Sequence, residues 1–456
     1  MTTASVPGGI ADWIVRRAQR SPDRIAVVDA DGGSEWTYAQ LADRMHGTAT
    51  GLRDLGVRSG DRVLIVLDNC PEFIEYVFAV ASVGAIAVPV NFRLSAGEIA
   101  YLISDAQPVV VVHNERFAGL TKDALDGAAL SPRVVDVDTA PAYVPGHSRT
   151  VAAVDDDDVC MIMYTSGTTG RPKGAMITHG HLRWNTFNIL TVDGGVSSSD
   201  VTLSVAPLFH IGAFGLLTLP LLYVGGTVVL QRAFSPRETL AAFERHSVTI
   251  CFLVPAMWAA LAQVADFDSF DVAAMRFVLS GGAPCPLPVI RFFQGKGWAF
   301  LEGFGMTEFG PSTLLLDDAH VVSHAGTVGR PFLHTDVAIV DEFDRPVRDG
   351  DVGELILRGP TTFAGYWGLP DATSEALRGG WFHSGDLARS DAEGFVTIVD
   401  RKKDMVITGG ENVYPAEVEH MLREHPEVAD VAVIGVPDER WGEAVTATSC
   451  PPTVRR

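Results

Sequence analysis

At 456 residues the chain exceeds what one hydrophobic core organises, so two or more folded units are expected. Hydrophobic residues make up 47% and charged residues 20%, ordinary values for a globular protein, which argues against wholesale disorder. A formal net charge of -21 argues against a surface built to neutralise nucleic-acid phosphates, so any anionic ligand must meet positive charge placed locally.

The N-terminal stretch, MTTASVPGGIADWIVRRAQR, lacks a long apolar core after a basic start and does not read as a secretory signal. From 62 to 113, RVLIVLDN predicts a strand, PEFIEYVFAVASVGA a helix, IAVPV a strand, SAGEIAYLISDAQ a helix and PVVVVH another strand. Short β-branched runs alternating with helices imply a buried parallel sheet and an α/β architecture. A polar stretch from about 136 to 158, ending in DDDD, reads as a solvated surface connection. The strand VCMIM then leads into YTSGTTGRPKG at 164–174.

Residues 211–230, IGAFGLLTLPLLYVGGTVVL, carry no charge over a bilayer-spanning length, but Pro220 and Gly225-Gly226 break them into a buried helix, a turn and a buried strand. TVVL, SPRETLAAFERHS, VTICFLVP, a helix from about 256 and MRFVLSGG repeat the α/β grammar. After about 330 the texture changes to short strands with turns, typical of a small β-rich unit. Cys70, Cys160, Cys251, Cys285 and Cys450 show no CxxC spacing, so neither a zinc site nor a disulfide framework is suggested and a cytoplasmic setting is expected.

The chemistry concentrates in the loop after VCMIM. Gly167, Gly170 and Gly174 free backbone amides to point inward, Thr165, Ser166, Thr168 and Thr169 supply hydroxyls, and Lys173 supplies charge, a set that can wrap a polyphosphate. Pro172 between Arg171 and Lys173 excludes a Walker A loop. An ordinary Gly-Thr turn is the competing reading of that segment alone.

This loop closely resembles the signature of the adenylate-forming superfamily of acyl-CoA synthetases, luciferases and peptide-synthetase adenylation domains. Further motifs follow in that family's order: APLFH at 206–210, LSGGAP at 279–284, EGFGMTE at 302–308, WFHSGD at 381–386 and DRKKDMVITGGENVYPAEVE at 400–419. WTYAQLADR, GDRV and GAIAVPVN match upstream, and the resemblance spans about 10 to 445.

The resemblance implies ATP, Mg2+ and coenzyme A as cofactors and a carboxylic acid as substrate. It assigns nucleotide contacts to Thr165, Ser166, Gly167, Thr168, Thr169, Gly170 and Lys173, with the lysine on the β and γ phosphates. Gly281, Gly282 and Ala283 would pass under the adenine, and GFGMT, from Gly303 through Phe304, Gly305 and Met306 to Thr307, would stack on it and reach the α-phosphate. Phe304 replaces the family's commoner tyrosine, and stacking needs only a ring face; core packing is its other reading. Glu308 would hold the magnesium, because a carboxylate beside an anionic nucleotide needs a bridging hard cation. Asp386 would accept hydrogen bonds from both ribose hydroxyls, with a turn cap as the alternative. Arg401 would contact ribose and phosphate. Lys403 would be the hinge, and Gly409 and Gly410 would line the pantetheine channel, unless they form a plain hairpin turn.

His210 would sit beside the activated carboxylate at the mouth of the thiol tunnel, although a lone His in an apolar run is more often a core residue. Amino-acid-activating relatives carry Asp after this Phe, whereas here Phe209 precedes His210, which disfavours an amino-acid substrate. His179 and His181 read as an exit-loop pair rather than as metal ligands. Ile211, Gly212, Phe214, Val254, Met257, Trp258 and Phe309 form the expected acyl pocket.

The fold expected is therefore α/β: an N-terminal body of two parallel-sheet subdomains and a small β-rich one over 1–400, then a small, incomplete α+β lid over 401–456. The tail TATSCPPTVRR does not match the family's continuation, which ends near a lysine used in adenylation, so a slowed adenylation step is expected. The expected reaction is acyl-CoA formation from a medium or long-chain fatty acid. An aryl-acid ligase and a degenerate adenylate-binding homologue are the alternatives. Small molecules are the expected partners, with no nucleic acid and no integral span; peripheral membrane contact and homo-oligomerisation are left open.

Overall fold

The computed structural model describes residues 9–450 apart from 129, 140, 142, 147, 166–170, 409–410, 424, 426, 429 and 439–441, with backbone only at 407, 411, 412, 420, 423 and 442. The chain divides into two compact units: 1–325 with 331–335 and 359–374, and 326–330 with 336–358 and 375–456.

The first unit holds two largely parallel sheets. In one, Arg133–Asp136, Val110–His113, Arg62–Val66, Ile86–Pro89 and Val159–Thr165 lie side by side and parallel, and Lys173–Thr178 closes the edge antiparallel. The predicted alternation holds because each β-branched run is buried and each helix is bounded by its own local signals. Pro71 opens the helix Pro71–Val83, and Gly84, in the left-handed region at φ 78°, ends it. Ser95 and Glu98 form a reciprocal capping box at the start of Ala96–Ala106.

The other sheet runs in the order Glu35–Thr37, Ile25–Asp29, Thr227–Leu230, Val201–Ser204, Ile250–Leu253, Phe277–Gly281, Ala299–Met306 and Gly310–Leu316. Its strands are parallel except at Glu35–Thr37 and Gly310–Leu316. The uncharged stretch becomes Ile211–Ala213, a π-helical turn at Phe214–Thr218 and Leu219–Val224; Gly225 then turns the chain into strand Thr227–Leu230. Among the described residues no helix is long and apolar enough to cross a membrane.

The second unit contains an antiparallel sheet of Asp336–Val340, Gly353–Arg358, Phe382–Ser390 and Val396–Arg401. It also contains a sheet ordered Glu411–Val413, Val406–Thr408, Gly442–Cys450 and Asp430–Asp438, with helix Pro415–Arg423 against the last of these strands.

Candidate active site

In the first unit a cavity of about 310 Å³ opens above the strand ends Gly281 and Gly303. Its floor is backbone, at Gly281, Gly282, Gly303 and Gly305, and its walls are Phe252, Val254, Met257, Leu216, Ala213 and Pro311. Two polar side chains, Arg93 and His210, stand at its margin. The loop Ala206–Leu208, which leads to His210, is clamped by the buried amide of Asn69. Its Nδ2 donates to the carbonyls of Ser204 and Ala206 at 3.0 and 2.9 Å, and its Oδ1 accepts the Leu208 N–H at 3.0 Å. His210 keeps contact with solvent, yet enough protein surrounds its ring to lower its pKa, and the positive field of Arg93 acts in the same direction.

Strands Ala299–Met306 and Gly310–Leu316 form a hairpin whose three-residue tip is Thr307–Phe309, with Gly310 at φ 88° closing it. The tip therefore presents Thr307 and Glu308. Glu308 Oε1 accepts from Thr165 Oγ1 at 3.3 Å and from the Tyr366 hydroxyl at 3.0 Å. Thr165 and Lys173 face each other across the strand pair that bounds the glycine-rich loop, and Lys173 Nζ lies 4.9 Å from the Tyr366 ring centre. Tyr366 reaches this point because residues 364–367 bond along the edge strand Lys173–Thr178, while Phe363 N–H donates to the Glu308 carbonyl at 2.9 Å.

Among the described residues no three His, Cys, Asp or Glu side chains gather as a metal cluster. The single carboxylate of Glu308 fits a hard cation that takes its other oxygens from phosphate and water, as magnesium does.

In the second unit Asp386 and Arg401 are cross-strand partners, and Arg401 Nε pairs with the buried carboxylate of Asp386 at 2.7 Å. Next to them Lys402 reaches Glu354 at 3.0 Å, and Lys403 is exposed. Ser166, Gly167, Thr168, Thr169, Gly170, Gly409 and Gly410 lie outside the described residues.

A family model described as AMP-binding enzyme matches residues 14–367, and one described as AMP-binding enzyme C-terminal domain matches 417–454. The chain belongs to the AMP-binding enzyme family. A feruloyl-CoA synthase from Amycolatopsis is 45% identical over 97% of this chain and 89% of the relative. A long-chain-fatty-acid–CoA ligase of Mycobacterium tuberculosis is 35% identical over 95% of this chain and 87% of the relative. The solved o-succinylbenzoate CoA synthetase of Bacillus subtilis, in complex with its acyl-adenylate intermediate, superposes with a TM-score of 0.88 at 30% identity, covering 97% of this chain and 88% of that one. The chain is an adenylate-forming acid–CoA ligase.

In this AMP-binding enzyme the pocket differs from the sequence expectation. Ile211, Gly212, Val254 and Met257 line it, but Phe214, Trp258 and Phe309 are fully buried elsewhere. Trp258 packs edge-on to Phe293 and Phe300 and donates to the Leu279 carbonyl at 3.2 Å, which makes it a core residue. Pro311, Phe252 and Leu216 take the places at the pocket wall. The exit-loop reading of His179 and His181 is also corrected: both are buried in the first turn of helix His179–Ile189. Burial lowers their pKa values to about 4 and about 3.

Asn69 and Tyr366 were not singled out by sequence. The signals present were an Asn just before a Pro-started helix and an aromatic in FAGYWG, and each reads equally as cap or core.

Proposed function

We propose that this enzyme activates an aromatic carboxylic acid with ATP and transfers it to coenzyme A. The observation that carries the reading is the cavity itself: about 310 Å³, near the small end for ligand sites, with glycine backbone on one side and Phe252, Met257 and Pro311 around it. A planar ring matches such a slot. The 45% identity to a feruloyl-CoA synthase supports the same class. The apolar walls and the 35% identical long-chain relative favour a second reading, the medium or long-chain fatty acid expected from sequence.

In the proposed reaction a carboxylate oxygen attacks the α-phosphorus and the α–β bridging bond breaks, releasing pyrophosphate. The coenzyme A thiol, losing its proton, then attacks the acyl carbon and AMP leaves. Lys173 and Thr165 bind the phosphates, together with Ser166–Gly170. Thr307 orients the α-phosphate, and Gly281, Gly282, Ala283 and Phe304 hold the adenine. Asp386 and Arg401 hold the ribose. Glu308 would hold magnesium, which supplies charge neutralisation to the phosphates. His210 orients the carboxylate. A division into body 1–400 and lid 401–456, with Lys403 as hinge and Gly409 and Gly410 beside the pantetheine arm, completes the proposal. Catalysis in this scheme is positioning and charge stabilisation, with no covalent enzyme intermediate.

The test is thioester formation with ATP, magnesium and coenzyme A over hydroxycinnamic, arylacetic, fatty and amino acids. A hydroxycinnamic acid is expected to exceed any fatty acid in kcat/KM by about tenfold or more, a difference of ~1.4 kcal/mol in transition-state binding. Preference for a long-chain acid would replace this reading by the second.

A further inference from the structure

The buried carboxyl of Glu302 is left without a role by the reaction scheme. It lies on strand Ala299–Met306, paired in register with Ser280 of Phe277–Gly281 and with Leu316 of Gly310–Leu316. Glu302 is 6% exposed. Its Oε1 accepts the backbone N–H of Cys285 at 2.8 Å. Cys285 follows directly on Gly281–Pro284, the turn whose first two residues floor the cavity and whose Gly282 has φ 87°. Side chains alternate along a strand, so Glu302 shares its face with Phe300 and Phe304, while Gly303 and Gly305 turn to the cavity.

We propose that Glu302 is a positioning residue for the nucleotide: by holding the Cys285 amide it fixes the Gly281–Ala283 turn on which the adenine rests. The inference rests on the assignment of that turn to the adenine.

Two observations support it. A turn that opens on two glycines has little side-chain bulk to brace it, so its geometry depends on what fastens its ends. One end is the sheet, where Gly281 pairs with Gly303, and the other is the Glu302–Cys285 bond. The carboxyl is also an expensive acceptor for that duty. Burial raises its pKa to about 7 and the Cys285 N–H lowers it only in part. Any amide would accept the same N–H without an ionisable group in the core. A folded pKa raised above the ordinary 4.5 means that Glu302 favours folding most below 4.5 and that this contribution declines as pH rises through about 7. Retaining a carboxyl there suits a site where the ionised acceptor binds the loop more strongly than a neutral one. The groups facing Glu302 are the Cys285 thiol, itself pushed up to about 12 by burial and by Glu302, the Ser280 hydroxyl and apolar Leu316. Among the described residues no charged side chain contributes to its titration.

The experiment compares wild type, Glu302→Gln and Glu302→Ala by calorimetric ATP affinity from pH 5.5 to 8.5, with KM for ATP, KM for the acid and kcat alongside. In wild type, ATP affinity should rise severalfold as pH increases through about 7. Glu302→Gln keeps a neutral acceptor, so its affinity should stay flat near the low-pH wild-type value, and it should melt higher than wild type at pH 8. Glu302→Ala leaves the Cys285 N–H unpaired and should lose about tenfold in ATP affinity at every pH, with a smaller rise in KM for the acid, because Gly281 and Gly282 also floor the cavity. If Glu302→Ala does not fold, the flat profile of Glu302→Gln carries the test. A Glu302→Gln protein with the wild-type pH profile, or equal losses in ATP and acid KM, overturns the inference. Absence of ATP binding by the wild type would instead remove the parent assignment.

Discussion

Asn69 bonds two carbonyls and one amide of the segment that carries His210, so Asn69→Ala strands the buried Ala206 carbonyl and Leu208 N–H, while the Ser204 carbonyl keeps the Gln231 N–H at 3.2 Å. We predict a loss of about 2–3 kcal/mol in denaturant unfolding, together with a fall in kcat/KM of tenfold or more. Unchanged kcat/KM in a folded variant would separate the clamp from catalysis. Tyr366 holds Glu308 through its hydroxyl and Lys173 through its ring. Tyr366→Phe keeps the ring and removes the bond, so the magnesium concentration that half-saturates ATP binding should rise severalfold in calorimetric titrations. An unaltered magnesium dependence would show that Glu308 needs no such tether. Neither residue was legible in the sequence, because each acts on backbone or side chains more than fifty residues away. Glu308 and Asp386 stand out in the sequence because each sits inside a short motif, and their roles toward magnesium and ribose are part of the proposal above.

At the scale of elements, the hairpin Ala299–Gly310–Leu316 decides the shape of the site. A Cβ added at Gly305 would collide with the Pro311 backbone, whereas one at Gly303 would meet only the Leu314 and Ser280 carbonyls at 3.7 and 3.9 Å. Gly305→Ala is therefore expected to displace the hairpin and its Glu308 tip, lowering kcat far more than Gly303→Ala does. Normal activity in Gly305→Ala would mean that the hairpin yields at little cost. The alternation of strands and helices was legible because β-branched runs and caps are local signals. What escaped was partnership: Ile25–Asp29 joins Thr227–Leu230 across about two hundred residues, a pairing that no local pattern encodes. Trp258, expected in the pocket, faces the other side of its helix, since apolar character alone does not tell core from cavity wall.

For the whole molecule, pH sets stability through groups buried neutral. His179 and His181 have folded pKa values of about 4 and about 3, below the ordinary 6.5. Their contribution is complete above 6.5 and is lost as pH falls toward those values, on the order of 3 kcal/mol each at the acid end. His179 also accepts the Ile10 N–H at 3.2 Å, so acidification should release the first helix early. Melting temperature is expected to drop steadily from pH 7 to pH 4.5, and a flat profile would contradict the burial of these rings.

The central claim, that an aromatic acid is adenylated in the glycine-floored cavity, is tested most directly by acid-dependent ATP–pyrophosphate exchange in wild type and in Gly303→Val. Gly303 lines the cavity and has room for a side chain without backbone collision, so valine should fill the slot and leave the strand intact. Brisk exchange with a hydroxycinnamic acid is expected in wild type, and in Gly303→Val its loss by at least about tenfold, exceeding any loss of ATP affinity. Exchange undiminished in the variant, or driven equally well by a long-chain fatty acid in wild type, would contradict it.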